Sequence, residues 1–165
     1  MVNLSSIFIE NLAELGYLGA LLAGFIGSST LFIAIFPSFI TIPIIGSQLN
    51  PLIVGLVAGL GAGVGQYFHY YIGSGARTIF SRKKKVNVDL SKDNTSVWTK
   101  RIKKYGVVLI FIFAATPLTP DDILWIPLGV MKYPKISALM AAIAGKIVLN
   151  LFYAYAGAIG FNIIN

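Results

Sequence analysis

The longest uncharged stretch of the chain is the feature that most constrains its fold. From Leu15 to Ala76 the sequence has 62 residues without a lysine, arginine, aspartate or glutamate. A helix needs about 20 apolar residues to cross the hydrocarbon core of a bilayer, so this stretch holds more than one segment at membrane depth. In the whole chain 56% of the residues are hydrophobic and only 12% are charged, whereas soluble domains have about a quarter charged. The sequence predicts an all-α polytopic membrane protein.

Most of the basic residues lie in one region between two apolar blocks. Ten of the thirteen lysines and arginines fall between Arg77 and Lys104. Such an excess is typical of cytoplasmic connections, so we expect a multi-pass protein of the plasma membrane with a cytoplasmic loop over 77–104. The loop can also attract anionic lipid head groups. Because the positive charge is confined to it, we expect no nucleic-acid partner. Residues 1–14 are predicted to form an amphipathic segment on the membrane surface.

The two apolar blocks repeat the same order of prolines, glycines and polar residues. The matched pairs are Pro37 with Pro120, Gly46 with Gly129 and Pro51 with Pro134 at an offset of 83, and Gly61 with Gly145, Gln66 with Asn150, Phe68 with Phe152, Tyr71 with Tyr155 and Gly73 with Gly157 at an offset of 84. The shared order predicts that residues 15–76 and 105–161 are two repeats within a single membrane domain.

Segment lengths predict that the second repeat begins with a re-entrant helical hairpin. The limb from Tyr105 to Thr116 has 12 residues, or roughly 18 Å of helix, and cannot cross a core of about 30 Å. Lys132 and Lys135 mark the following turn as cytoplasmic. The hairpin would therefore enter and leave on the side of the basic loop, and the helix over 135–161 would then cross.

The first repeat would follow the same plan from the opposite side. Its hairpin would break near Pro37, and a transmembrane helix would follow over 51–76. Two hairpins that enter from opposite sides make the repeats inverted, an arrangement that many transporters share. One alternative stays open, in which residues 15–36 span the membrane outright.

Two adjacent aspartates lie at the break of the second hairpin. An ionised aspartate at mid-membrane costs about 2.5–3.5 kcal/mol, and such residues usually mark a pathway or a proton relay. We expect Asp121 to cap the helix that follows Pro120 and Asp122 to face a cavity, although the sequence leaves open which of them does which. The pair can also share a proton.

Other polar residues lie inside the predicted spanning helices. Lys146 is near the middle of the last helix, where we predict a contact with Asp122; the alternative is a side chain that reaches the interface along a tilted helix. Gln66 and Asn150 are expected to project toward one central region, either as interhelical hydrogen bonds or as substrate contacts. His69 is interpreted as an interfacial residue.

Small and aromatic residues also recur along the predicted spanning helices. Gly55, Gly59 and Gly63 recur every four residues and predict a face of tight helix packing, which is also compatible with a homodimer. The tyrosines of the two long helices are predicted to form an aromatic belt at the membrane interface, with the lining of a groove as the alternative.

The chain has no sequence signature of catalysis. It contains no cysteine and one histidine, and its glycine runs do not follow a strand as a nucleotide-binding loop would. We expect no enzymatic activity, no cofactor and no metal site.

Three motifs carry a resemblance to a known family. They are KKYG at 103–106, ATPLTPDDILWIPLGVMKYP at 115–134 and GAGVGQYFHYYIG at 61–73. Together they resemble the DedA superfamily, also called the VTT or SNARE-associated domain group, and most of all its short archaeal members. The likeness covers about residues 15–161.

The resemblance implies a fold and a function. The fold has two oppositely oriented re-entrant hairpins that meet at mid-membrane. The function is lipid movement across the bilayer, either phospholipid scrambling or the return of a polyprenyl-phosphate carrier, with proton coupling in some members. The family's acidic residue in the second hairpin maps onto Asp121 or Asp122.

The chain departs from the family pattern at both hairpins. Ser38 and Phe39 follow the first proline, where many bacterial relatives have an acid. Ala115, Thr116 and Asp122 stand where those relatives have arginines. Capture of a phosphate would then depend on Lys146, on the hydroxyls of Thr116 and Thr119, and on backbone N–H groups at the hairpin tip.

These observations predict a transporter or scramblase for lipids with anionic head groups. Its groove would be formed by Asp121, Asp122, Lys146, Thr116, Thr119, Pro117, Pro120, Pro37, Ser38, Gln66 and Asn150. Protonation of Asp122, or a phosphate that displaces it, would release Lys146. Two other functions stay open, a proton-coupled exporter of small cations or drugs and a membrane assembly partner that acts through the glycine face and the basic loop.

Overall fold

The computed structural model describes residues 11–29, 38–81, 97–117 and 122–164, and every element in them is helical. The helices in chain order are α1 (Gly16–Ser29), α2 (Ser38–Gln48), α3 (Pro51–Ser81), α4 (Val97–Ala115), α5 (Asp122–Val130) and α6 (Lys135–Ile164). The predicted all-α class is confirmed for these ranges.

Helices α3 and α6 are long and apolar enough to cross a membrane. The apolar part of α3, Pro51–Gly75, has 25 residues and a mean hydropathy of 1.5, and that of α6, Lys135–Gly160, has 26 residues and a mean hydropathy of 1.7. At 1.5 Å per residue each is about 38 Å long, which exceeds the hydrocarbon thickness. The other apolar helices of this kind, Gly16–Ser29 and Lys104–Ala115, are shorter.

The two long helices approach closely because glycines line the face of α3 that meets α6. A Cβ placed on Gly55 would stand 2.6 Å from the Cα of Leu151, and one placed on Gly59 would overlap the backbone of Ile147. Any larger residue would therefore push the helices apart, as in other small-xxx-small interfaces. The predicted tight packing of this face is confirmed.

Each long helix is accompanied by one shorter helix from its own half of the chain. Gly61 of α3 packs against the backbone of Leu21 in α1, and Gly145 of α6 packs against the backbone of Phe111 in α4. The two halves therefore use the same device, a glycine on the long helix that admits the neighbouring backbone.

The remaining short helices cross to the long helix of the other half. Gly46 of α2 packs on the backbone of Ala154 in α6, and Gly129 of α5 packs on the backbone of Tyr70 in α3. The two halves are thus joined through matching contacts, and the core of each half includes a buried residue of the other, Ala154 in the first and Tyr70 in the second.

In each half the first short helix contacts the residue that follows the second. A Cβ on Gly16, the first residue of α1, would lie 3.8 Å from the Cδ1 of Leu49, which follows α2. In the second half a Cβ on Gly106, inside α4, would lie 2.7 Å from the ring of Tyr133, which follows α5. The two short helices of each half therefore approach each other at corresponding points.

Two helix ends differ from the sequence-based boundaries. Helix α3 continues to Ser81, past the predicted end at Ala76, and α4 begins at Val97 instead of Tyr105. Both helices therefore extend out of the apolar region into the basic loop. Half of the eight residues that α4 gains are lysine or arginine, which favour helix, whereas α3 gains only one such residue, Arg77. The loop predicted over 77–104 is therefore partly helical.

Several predicted features lie outside the described residues. Residues 30–37 include the predicted break at Pro37, and the choice between a spanning and a re-entrant path for 15–36 depends on them. Residues 118–121 include the tip of the second predicted hairpin. Most of the predicted surface segment over 1–14 also lies outside the described residues.

Helix α5 ends at a residue with a left-handed backbone. Lys132 has a φ of 55°. Its N–H donates to the carbonyl oxygen of Gly129 at 3.2 Å, and the N–H of Tyr133 donates to that of Leu128 at 3.0 Å. This pair of bonds is a Schellman motif, where glycine is the usual residue because the left-handed conformation costs other residues about 1–2 kcal/mol.

Replacement of Gly59 by leucine is expected to destabilise the protein strongly. The new side chain would meet the backbone of Ile147, and overpacking of this kind typically costs about 1–3 kcal/mol or more. Gly75→Leu is the matched control on the same helix, because a Cβ there meets nothing within 4 Å. Thermal unfolding of the purified variants in detergent measures the difference, and equal melting temperatures would contradict the close approach of α3 and α6.

Replacement of Lys132 by glycine is expected to stabilise the protein by about 1 kcal/mol, since glycine adopts a positive φ without steric cost. Lys132→Val should have the opposite effect, because a β-branched side chain fits this conformation poorly. Unfolding by denaturant in detergent compares the three proteins. The order glycine, lysine, valine is the expected order of stability, and a reversal would exclude the left-handed turn.

Candidate functional site

The glycine seam between α3 and α6 determines which residues of the two helices lie at the same depth. The opposed pairs are Gly55 with Leu151, Gly59 with Ile147, and Gly63 with Ile143. The helices are therefore antiparallel, and each step toward the C-terminus of α3 is matched by an equal step toward the N-terminus of α6. On this register Gly61 lies opposite Gly145, near the middle of both apolar spans.

Three buried polar side chains lie at different depths along the two helices that form this seam. Gln66 is 0% exposed, Lys146 is 8% exposed and Asn150 is 2% exposed. Lys146 follows the central Gly145 directly. Gln66 lies five residues beyond Gly61 toward the basic end of α3, and Asn150 lies five residues beyond Gly145 toward the opposite end. We call these three residues the polar ladder.

The ladder differs from the arrangement expected from sequence. Gln66 and Asn150 were predicted to project toward one central region, but the register separates them by about ten residues of helix, or roughly 15 Å. Lys146 lies between them, about 9 Å in depth from Gln66 and about 6 Å from Asn150. The three groups thus span the middle third of the apolar helices and do not meet at one point.

Gln66 has no hydrogen-bond partner in the described part of the chain. Neither its Nε2 nor its Oε1 is bonded there, although the side chain is fully buried. A buried polar group without a partner costs about 1–3 kcal/mol, and buried polar groups in proteins are nearly always satisfied by protein or by ordered water. The carboxamide therefore indicates a place for water or for a polar ligand.

Asn150 is satisfied on one side only. Its Nδ2 donates to the carbonyl oxygen of Lys146 at 2.7 Å, one turn earlier in α6. Its Oδ1 has no partner among the described residues. The side chain that is bonded to the backbone of Lys146 thus carries one acceptor without a partner among the described residues.

The end of α1 lies next to Gln66. The Nε2 of His69, one turn beyond Gln66, lies 3.1 Å from the carbonyl oxygen of Ser29. A carbonyl oxygen only accepts, so this nitrogen carries the proton and donates. The Ser29 hydroxyl donates to the carbonyl oxygen of Phe25 at 2.6 Å. His69 is fully buried, so its interpretation as an interfacial residue is wrong. The sequence contains one sign of this burial, because His69 lies three residues after the polar Gln66 and therefore on the same face of the helix.

The end of α4 lies at the centre of the seam. The backbone N of Ala115 would lie 3.0 Å from a Cβ placed on Gly145, so α4 ends beside Lys146. The next residue, Thr116, donates its hydroxyl proton to the carbonyl oxygen of Ile112 at 2.6 Å. Such a bond within the helix keeps the hydroxyl on α4. Pro117 follows and is exposed.

For most of the predicted hairpin residues, the position relative to the polar ladder lies outside the described part of the structure. Ser38 begins α2 and is half-buried, and Asp122 begins α5. The side chain of Asp122 lies outside the described part of the structure, as do Asp121, Thr119, Pro120 and Pro37 entirely. The contact between Lys146 and Asp122 therefore stays a prediction.

The tyrosines divide between the core and the surface. Tyr70 is buried, and its hydroxyl donates to the carbonyl oxygen of Tyr133 at 2.8 Å. The prediction of an interfacial belt is therefore wrong for Tyr70. Tyr71 is half-exposed, and the Nζ of Lys135 lies 5.2 Å from the centre of its ring. This cation–π contact ties the start of α6 to α3.

Comparison with known proteins gives one match. A model of the VTT domain family matches residues 36–159, which is more than half of the chain and includes the seam and the polar ladder. No curated protein matches the chain. No solved structure matches it.

Gln66→Met is expected to leave the protein equally stable or to stabilise it by about 1 kcal/mol, because the substitution removes a buried amide that the described part of the protein does not satisfy. Asn150→Leu should instead destabilise it by a similar amount, because the bond to the Lys146 carbonyl is lost. Unfolding in detergent measures both. A clear loss of stability in Gln66→Met would mean that another part of the chain pairs with this amide.

Proposed function

The chain belongs to the VTT domain family, within the DedA superfamily of membrane proteins, and from this premise we propose that it moves lipids with anionic head groups across the bilayer. The path runs along the seam between α3 and α6, where the polar ladder gives the head group a succession of partners. The lipid tails stay in the bilayer during the crossing.

The observation that carries this proposal is the buried carboxamide of Gln66, which has no hydrogen-bond partner in the described part of the chain. Methionine would fill the same space without the cost of burying an amide, so the amide indicates a polar partner. A head group or the water that accompanies it would satisfy both the N–H and the C=O of the amide. The Oδ1 of Asn150, which also lacks a partner among the described residues, offers a second such position at the other end of the ladder.

Lys146 makes the proposed path selective for anions. A lysine near the middle of the membrane attracts an anion where the hydrocarbon would otherwise reject it most strongly. A phosphate can accept charge-assisted hydrogen bonds from the ammonium group. Depth differences of about 6–9 Å between the ladder positions are within reach of a head group that moves by one step at a time. The ladder therefore favours anionic lipids over cationic cargo.

We propose that the two halves are inverted repeats, each a re-entrant hairpin followed by a transmembrane helix. The matching contacts support this arrangement. The pair Gly46 and Ala154 corresponds to Gly129 and Tyr70 at the sequence offsets of 83 and 84. In the seam, an offset of 84 relates the contact of Gly59 with Ile147 to that of Ile143 with Gly63. A two-fold axis in the membrane plane would generate these correspondences.

In this arrangement the ends of α1 and α4 bring the hairpin tips to the ladder from opposite sides. Ser29 lies against His69 next to Gln66, and Ala115 lies against Gly145 next to Lys146. Irregular backbone at membrane depth is tolerated when it lines a wet cavity. The tips would thus supply backbone groups to the path, and Asp122 would compete with the lipid phosphate for Lys146. The basic loop would face the cytoplasm.

The test is lipid scrambling by the purified protein in liposomes. Fluorescently labelled phosphatidylglycerol reports the exchange between leaflets through the fraction that an external quencher reaches. Lys146→Met and Gln66→Met are expected to slow the exchange at least tenfold, because each removes one position of the ladder. Lys135→Met is the matched control on α6, since Lys135 is exposed at the start of the helix.

Two outcomes would contradict the proposal. Exchange at wild-type rates in both ladder variants would exclude the polar path. Proton flux that depends on an added organic cation, without any lipid exchange by the wild-type protein, would favour the exporter. Asp122→Asn is added to the series to test the competition for Lys146, and an unchanged rate in this variant would remove Asp122 from the mechanism while leaving the ladder in place.

A further inference from the structure

An apolar cleft lies between α4 and α5. Its volume is about 190 Å³, and it is lined by Gly106, Leu109, Ile110, Leu124, Leu128 and Met131. Leu109 is 49% exposed, whereas Ile110 and Leu128 form a buried floor. The cleft therefore opens toward the bilayer and closes toward the core.

Basic residues stand where the cleft meets the membrane surface. Lys104 precedes the lining residue Gly106 by two positions, and Lys132 directly follows the lining residue Met131. Both side chains are exposed, as is Arg101 one turn before Lys104. An apolar slot with cations at one end matches the two parts of an anionic lipid, a hydrocarbon chain and a phosphate head group.

The turn beside the basic residues packs against α4. Tyr133 is buried after the end of α5, and its ring lies against Gly106. Burial raises the pKa of the Tyr133 phenol above its usual value, while a hydrogen bond at the Val107 backbone lowers it in part. The neutral ring therefore connects the two walls of the cleft at this end.

We propose that this cleft binds one acyl chain of an anionic lipid, with the phosphate against Lys104 and Lys132, and that it is the place where the lipid is loaded from the leaflet on the basic side. The inference rests on the proposed function, because a transported lipid must first be taken from one leaflet. The acyl chain gains little from moving between two apolar environments, the bilayer and the cleft, so it is selected by packing. The head group is selected by charge.

The experiment measures lipid binding and lipid exchange on the same preparations. Native mass spectrometry of the protein in detergent gives the affinity for dioleoyl phosphatidylglycerol and for dioleoyl phosphatidylcholine. Leu109→Trp fills the cleft and is expected to weaken binding of both lipids at least fivefold. Val108→Trp is the matched control, because Val108 is 53% exposed on the same helix and does not line the cleft.

The head-group position is tested by charge removal. Lys104→Gln with Lys132→Asn, where asparagine tolerates the positive φ, is expected to weaken binding of phosphatidylglycerol at least threefold and to leave phosphatidylcholine unchanged. Lys135→Gln is the control for a basic residue on the same side, held over Tyr70 and Tyr71. Leu109→Phe serves as a smaller filling substitution if the tryptophan variant does not fold.

The outcomes separate the site from the proposed function. If Leu109→Trp and Val108→Trp bind lipid with equal affinity, the acyl chain does not lie in the cleft. If charge removal weakens the binding of both lipids equally, the phosphate does not lie against Lys104 and Lys132. A dimer that dissociates in Leu109→Trp would assign the cleft to a second copy of the chain and overturn the proposal. Lipid binding with the expected pattern, but without lipid exchange by the wild-type protein, would support lipid binding in the cleft and contradict the proposed transport function.

Discussion

The close contact between α3 and α6 is the constraint on which the rest of the structure depends. Gly55, Gly59 and Gly63 bring the two helix backbones into close contact over about two and a half turns. In a bilayer, helices associate through such packing, because lipid provides no hydrophobic force between them. The antiparallel register follows from this contact, and with it the depth of every residue on the two helices. The short helices are then placed by further glycines, at Gly46 and Gly129, that admit a neighbouring backbone.

This packing also limits where polar groups can lie in the core. Gly55, Gly59 and Gly63 leave no room for bulky side chains along the seam. Gln66 lies three residues beyond Gly63, near the end of α1, and Asn150 lies at the opposite end of the contact, beside the Leu151 that meets Gly55. On the proposed path, a head group would therefore meet these two side chains at opposite ends of the close contact.

The sequence was sufficient for the fold class and for the main packing face, because both depend on local patterns. The long uncharged stretch required membrane helices, and the four-residue spacing of Gly55, Gly59 and Gly63 identified the face that packs most tightly. The family resemblance also came from local motifs, and the family match confirmed it. Helix ends were less predictable. Helix α3 continues to Ser81 although only Arg77 among its five added residues is a good helix former, and apolar length says nothing about where such a helix stops.

The candidate site was predictable in its residues and less so in its geometry. Gln66, Lys146 and Asn150 could be identified because a polar side chain in an apolar helix is costly to bury without a polar partner. Their separation in depth follows from the register of two helices distant in sequence, which no local pattern contains. The buried position of His69 was missed for the same reason, since its partner Ser29 lies 40 residues away. Tyr70 was assigned to the interface because tyrosine is common there, although its hydroxyl finds a backbone acceptor inside the protein.

The buried position of Lys146 has a consequence for how long an anion would stay at the centre of the protein. The residue at the corresponding position of the first half is Ala62, also buried, so the centre of the seam carries one ammonium group where a symmetric pair would carry two. Conduction requires binding strong enough for a particle to enter and weak enough for it to leave. On the proposed path, one central cation would hold a phosphate less tightly than two, because the second attractive charge is absent. The departure from internal symmetry at this position would therefore shorten the time that the proposed cargo stays there.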